Sequence, residues 1–383
     1  PYGEPVNLSG SFTGTTAVSK AVFSGAKKAE DGTFTVVGEG QEGTIDGTVA
    51  SVEFFADSQE IDAIEVVLSS ADASKKFYFD APKVTGEPKG DVWFNDVVAL
   101  YPDNIVKNNK NCPEEFPTPN TGAGSDTKSF FSMHGVKVNG KVEHILSLNE
   151  LLAVDGKNAS FCFLNVLQNT ENNKFIGSQR GYMFSIMKAS SLGGGTTGRQ
   201  CDLYQYGEHK IKDENIDLNF KMNRYRGSWS GKDYKEELFK EIDRIFLNLK
   251  SPKTNLEKIK AFYALGEIQR KLDNSTLGEE ENPTNFGGST FLRKWNNAGE
   301  NTTAPTEQYR AGDYIIFRSE RKKEGEEKAR YYYGIMQIVQ FEYDDSKCFV
   351  EKDGMKYIDR EMAKDLFMKP VYLDIKTQCE IAE

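Results

Sequence analysis

Residues 331–341, YYYGIMQIVQF, restrict the fold more than any other stretch. Tyr331, Tyr333, Ile335, Val339 and Phe341 fall on one face of an extended strand, and Tyr332, Gly334, Met336 and Ile338 on the other. A strand that is apolar on both faces has to be covered on both, so it belongs at the centre of a packed sheet. YIIFRS (314–319) is its expected hairpin partner, and the mixed charges of ERKKEGEEKA (320–329) suit a solvated turn between them. In VYLDIK (371–376), Val371, Leu373 and Ile375 point one way while Tyr372, Asp374 and Lys376 point the other. That alternation predicts a strand with one wet face.

The rest of the chain repeats this grammar. Between residues 1 and 100, short apolar runs alternate with Gly or Asp-Gly turns: TFTVVGEG (33–40), GTVASVEFFA (47–56), IDAIEVVLSS (61–70) and KKFYFDAPKV (75–84). This spacing predicts a β-sandwich. In the third run Ile64, Val66 and Leu68 share one face and Glu65 and Val67 the other, a half-buried strand. Residues 102–127 are rich in Pro, Asn and Gly and read as a linker. A second β-rich stretch follows, strongest at ASFCFLNVL (159–167) and RGYMFSIMKA (180–189), and Trp93 in DVWFND reads as a core residue.

The period then changes. Leu238, Phe239, Ile242, Ile245, Phe246 and Leu249 recur at helical spacing, with Asp233 as the expected cap and Pro252 after the end. Thr254 and Glu257 form the signature of a second capped helix, so 233–272 reads as a helical hairpin. Residues 274–308 read as a long loop. The expected organisation is mainly β: an N-terminal immunoglobulin-like β-sandwich over 1–101, the linker, and a larger β-rich domain over 128–383 that carries the helical hairpin.

Charge narrows the function. With 48 basic and 58 acidic residues the net charge is −10, which argues against a nucleic-acid surface and a polybasic membrane patch. The five cysteines show no CxxC and no zinc-knuckle spacing. LGGGTTGRQC (192–201) is glycine-rich, but Arg199 and Gln200 stand where a phosphate loop needs Lys and a hydroxyl. His134, His144 and His209 have no metal-ligand spacing, and no GxSxG elbow is present. Asp213, Asn215 and Asp217 place oxygens at alternate positions, a weak calcium candidate, while Leu218 and Arg224 exclude an EF-hand. Trp229 and Trp295 sit among Gly, Ser and Asn, where an indole can stack on a sugar or pack on a partner. No catalytic set and no cofactor site is expected.

GDYIIFRS (312–319), YYYGIMQIVQ (331–340) and VYLDIKTQ (371–378) together resemble the closing β-meander of Bacteroidetes cell-surface lipoproteins. In that group the chain ends G-D-x-φ-x-F-[KR]-[ST], then Y-G-φ-φ-x-φ, then φ-x-φ-D-φ-K, with φ apolar. IDAIEVVLSS is similar to a strand of their N-terminal immunoglobulin-like domain. The resemblance implies a lipid anchor on a Cys ahead of Pro1 and a place on the outer-membrane surface. It also implies partnership with a Sus-type importer, a TonB-dependent barrel with its lid lipoprotein, and peptide or glycan cargo. The expected function is that of a non-enzymatic accessory subunit. A freestanding glycan-binding protein or adhesin is the alternative, and a hydrolase with an unrecognised site is the second.

Overall fold

The computed structural model describes residues 1–14, 16–101, 103–107, 126–153, 160–169, 175–185, 202–209, 219–223, 236–273, 290–294, 312, 314–321, 330–341, 349–352, 355–358 and 370–380. The protein is mainly β. It divides into two compact units, Pro1–Val92 with Ser251–Ala264, and Trp93–Lys250 with Leu265–Glu383.

The first unit holds β1 (Pro5–Ser11), β2 (Lys20–Lys28), β3 (Phe34–Val36), β4 (Gln41–Glu42), β5 (Thr44–Asp46), β6 (Val49–Phe55), β7 (Ala63–Ser69) and β8 (Ser74–Asp80). One sheet runs β1-β6-β5; the other runs β3-β2-β7-β8, with β4 also on β2. In immunoglobulin terms the first sheet is B-E-D and the second C′-C-F-G. Ala21, Phe23, Ala50, Phe54, Ile61, Ile64 and Val66 fill the space between the two sheets. The seam is also polar: Gln41 is buried, donating from Nε2 to Phe55 O at 2.7 Å and accepting the Phe55 N–H at 3.1 Å. A side-chain amide thus completes backbone bonding where the ladder stops.

The expected wet side of β7 is only partly wet. Glu65 is buried beneath Tyr78, whose hydroxyl donates to it at 2.6 Å, and Lys76 at 3.1 Å. Burial raises the Glu65 carboxyl, but these two donors more than offset it and hold it below its ordinary value.

The second unit begins with β9 (Trp93–Leu100), β10 (Asp103–Lys107), β11 (Phe130–Val138), β12 (Lys141–Leu146), α1 (Leu148–Ala153), β13 (Phe161–Asn169), β14 (Phe175–Ser185), β15 (Asp202–His209) and β16 (Asn219–Asn223). There follow α2 (Glu236–Lys250), α3 (Asn255–Asp273), of which the part through Ala264 belongs to the first unit, β17 (Thr290–Lys294), β18 (Tyr314–Arg321), β19 (Arg330–Phe341), β20 (Phe349–Lys352), β21 (Met355–Ile358) and β22 (Val371–Gln378). One sheet runs β12-β11-β13-β14-β17, with β10 parallel to β13; another runs β16-β15-β18-β19-β22-β9; β20 and β21 form a separate hairpin. Phe131, Met133 and Phe161 of the first sheet pack with Ile315, Phe317, Met336, Leu373 and Ile375 of the second in one core. Asn139 (φ 51°) and Gly140 (φ 81°) turn β11 into β12, the two positive φ angles of a tight hairpin.

The closing meander forms as expected: β18 pairs with β19, and β19 with β22, all antiparallel. Gly334 on β19 is required by contact, because a Cβ there would lie 2.3 Å from the Phe317 ring. A register shift between Ile338 and Gln340 turns Val339 outward, where it is 45% exposed rather than covered.

Several expectations are corrected. The Asp374 and Lys376 face of β22 is dry, with α2 packed against that strand. β9 pairs with β22 and belongs to the second unit, so the first ends at Val92 and Trp93 is half-buried on that strand. Residues 103–107 of the stretch read as linker form a strand, as do 290–294 of the stretch read as a long loop. Residues 251–264 belong to the first unit, not to the β-rich domain. The second helix is capped at Thr254, whose Oγ1 accepts the Glu257 N–H at 3.1 Å, while the Glu257 carboxylate accepts the Lys253 N–H at 2.8 Å. Asp233 lies outside the described residues.

Candidate functional site

Trp229, Trp295, Asp213, Asn215, Asp217 and the glycine-rich 192–201 segment lie outside the described residues, as does most of the charged tip after Arg321. The site therefore has to be sought elsewhere. Among the described residues no group of His, Cys, Asp and Glu could hold a metal ion, and no helix is long and apolar enough to cross a membrane.

The side chains best suited to chemistry are engaged in structure. His134 Nε2 lies 3.2 Å from the buried Ser319 hydroxyl, a spacing that suits a base and its nucleophile. The other ring nitrogen decides the matter. Glu380 N–H donates to His134 Nδ1 at 2.9 Å, so a neutral ring carries its proton on Nε2 and donates to Ser319. A base would need that nitrogen free. His144 donates from Nδ1 to Ser132 O at 2.8 Å, and burial between Phe94 and Phe131 lowers its basicity. Cys379 is buried and its thiol is pushed up to about 12, so it stays protonated.

Beneath α2 lies a polar row. Tyr314, Gln337 and Asp374 stand opposite one another across β18, β19 and β22. Tyr314 donates to Asp243 of α2, and Gln337 Nε2 donates to Tyr314 at 3.0 Å. Lys376 pairs with Asp374 and lies 5.3 Å from the centre of the Phe246 ring. Burial lowers the Lys376 ammonium, opposed by its bond to Asp374, and burial raises the Tyr314 hydroxyl. Every partner here is internal, so the row fixes where α2 sits.

Among the described residues, an accessible polar face lies in the first unit. On the outward face of the β1-β6-β5 sheet, Asn7 stands opposite Glu53, and Ser9, Ser51 and Thr44 form a row across three strands. Thr44 Oγ1 and Ser51 Oγ share a hydrogen bond at 3.0 Å. The start of α3 covers one end of this face: Leu256 and Ile259 pack with Tyr2 and Phe55. Asn255 ties the helix down by donating to Tyr2 Oη at 3.3 Å and to Asp91 at 3.2 Å. The uncovered part is a groove of about 440 Å³ floored by the hydroxyl row and walled by Glu42, Glu53 and Lys260.

Charge in the groove is uneven. Burial lowers the Lys260 ammonium, which Glu53, Asp57 and Glu39 counteract, and the ammonium sits 5.3 Å from the centre of the Phe55 ring. Asp57 is raised by burial; its Oδ2 accepts the Glu39 N–H at 2.9 Å, while Oδ1 is buried with no hydrogen-bond partner among the described residues. Such a surface can offer hydrogen bonds to neutral or cationic polar groups. The strand character of β6 was read from the sequence, but β1 and the polar row across the two strands were not. Nor was Lys260, because it arrives on a helix from the far side of the chain.

No family model and no curated protein matches this chain. A solved structure of a DUF4466 family protein from Parabacteroides merdae ATCC 43184 is similar at 8% identity, covering 99% of this chain and 100% of that one, with a TM-score of 0.22. That score is too low to equate the two folds.

Proposed function

We propose that the protein is a non-enzymatic cell-surface lipoprotein, an accessory subunit of a Sus-type nutrient importer of the outer membrane. It docks on the TonB-dependent barrel, on the lid lipoprotein, or on peptide or glycan cargo, and a lipid anchor holds it at the membrane. The observation that carries the binding role is the division of polar chemistry. The open groove beside Lys260 offers hydroxyls, an amide and carboxylates to solvent, whereas His134, Cys379 and Lys376 are engaged in internal bonds. The cellular setting rests on the sequence resemblance of the β18–β19–β22 meander, which is fold-level analogy.

Pull-down with the tagged protein from detergent-solubilised outer membranes tests this. Co-purification of a barrel with its lid, weakened by Lys260→Glu, supports the reading. Glycan-array binding without a barrel, lost on Trp295→Ala, would instead make the protein a freestanding adhesin. Turnover of a peptide or polysaccharide mixture would overturn the non-enzymatic assignment.

A further inference from the structure

The sandwich of the first unit has one closed flank and one open one. On the closed flank β5 and β6 lie against β2, and β6 against β4. The opposite flank is bounded by β1 in one sheet and β8 in the other, each paired on one side only among the described residues. The immunoglobulin pattern A-B-E-D places a further strand beside B, the position β1 occupies here.

Side-chain exposure marks the same gap. Register sets Val6 opposite Phe54 on the inward face, yet Val6 is 42% exposed and Phe54 only 4%. Across the gap, Phe79 stands opposite Ile64 on the inward face of its own sheet and is 55% exposed, against 8% for Ile64. These two apolar side chains point toward a core that stops short of them.

The backbone defines what would fill it. Phe12 N–H donates to Thr48 O at 2.8 Å in the same register as β1 and β6. Bonded pairs alternate along an antiparallel ladder, so Val6, Leu8 and Gly10 bond to β6. The N–H and C=O groups of Asn7, Ser9 and Ser11 therefore face the open edge, and all three residues are exposed. An unpaired edge is a template for another strand.

We propose that the open flank is a β-augmentation site. It takes an extended segment of a partner polypeptide as the strand beside β1, with main-chain bonds to Asn7, Ser9 and Ser11 and an apolar side chain at every second position covering Val6 and Phe79. These edge-facing main-chain groups, without a strand partner among the described residues, call for a strand rather than a lipid or a sugar. A second copy of β1 fits less well. Paired antiparallel about Ser9, it sets Gly10 opposite Leu8, leaving an inward position without a side chain. This inference does not depend on the importer reading.

The test uses the full chain and a short peptide alternating Thr and Val with Lys at each end. Hydrogen exchange followed by mass spectrometry should show β1 amides protected several-fold in the presence of the peptide. Ser9→Pro removes one edge N–H without touching the bonds to β6, and should abolish that protection while the thermal midpoint stays near wild type. Ser11→Pro serves as the second variant if Ser9→Pro is unstable. Absence of protection at about 1 mM peptide, beyond which binding is too weak to be specific, overturns the proposal. Equal protection in both proline variants overturns it as well. Concentration-dependent dimerisation that either proline substitution abolishes would assign the edge to a second copy, and that also overturns it.

Discussion

Lys376 and Asp374, two residues apart on β22, form an ion pair whose side chains are 3% and 4% exposed. Lys250 of α2 reaches within 4.0 Å of the same carboxylate from a largely exposed position. The pair occupies a face that alternation alone would leave wet, and removing it from water costs free energy that only close pairing and further hydrogen bonds offset.

Removing one partner of such a pair is therefore expected to be costly. Lys376→Met should destabilise the second unit by about 3 kcal/mol, because Asp374 is left buried with Lys250, at 4.0 Å, as its remaining cation among the described residues. The double variant Asp374→Leu with Lys376→Met should recover most of that loss, since an apolar pair of similar volume avoids desolvation altogether. Denaturant unfolding of the two variants is the check. Equal destabilisation in both would show that the pair itself, rather than the orphaned carboxylate, matters.

Gly334 is held by contact with Phe317 and Thr377. Gly334→Ala should cost about 1–3 kcal/mol through overpacking. Gly10→Ala, where an added Cβ meets nothing within 4 Å, should stay within about 0.5 kcal/mol. Thermal melts of the two variants side by side would expose any failure of this contrast.

His144 supplies a pH dependence. Burial lowers its folded pKa, so the neutral ring is favoured in the folded state. Its contribution is complete above the unfolded value of about 6.5 and is lost as pH falls through that value toward the lower folded one. His144→Phe should flatten the stability profile in that window. At neutral pH it should cost about 1 kcal/mol, because Ser132 O loses its donor. A profile of unchanged slope would assign the dependence to another group.

Asp57 behaves in the opposite sense. Burial raises its folded pKa, so ionising it at neutral pH weighs against the fold. That penalty is absent below the unfolded value of about 3.9 and grows as pH rises through the window up to the folded value. Asp57→Asn keeps an acceptor for the Glu39 N–H and removes the charge, so the unfolding midpoint should rise at neutral pH and converge with wild type in acid. A lower midpoint at pH 7 would mean that attraction to Lys260 outweighs the burial cost.

What was legible in the sequence, and what was not, follows from the range of the interactions. Tyr333 and Ile335 on one face, with Met336 and Ile338 on the other, announced a central strand because apolar side chains on both faces leave no other placement, and the partner strand lay close by. The sandwich was legible for the same local reason, through alternating residues such as Val52 and Phe54. The dry face of β22 was not, because its cover is α2, more than a hundred residues upstream, and periodicity reports only on the strand that carries it. β9 was assigned to the wrong unit because strand character says nothing about which sheet a strand will join. The groove was not read from the sequence: Asn7, Ser9 and Ser51 carry no motif on their strands, and Lys260 reaches them on a helix distant in sequence.

The first unit takes Leu256 and Ile259 from a segment distant in sequence, residues 251–264, to cover Tyr2 and Phe55. On the ribosome, its opening strands emerge long before that segment is made. Until this segment has left the exit tunnel, Phe55 on the outward face of β6 has Tyr2 and Val84 beside it but lacks the cover of Leu256 and Ile259. The stretch from Trp93 to Lys250 is thus translated between the two parts of this unit, a delay that the amino-terminal part on its own gives no hint of.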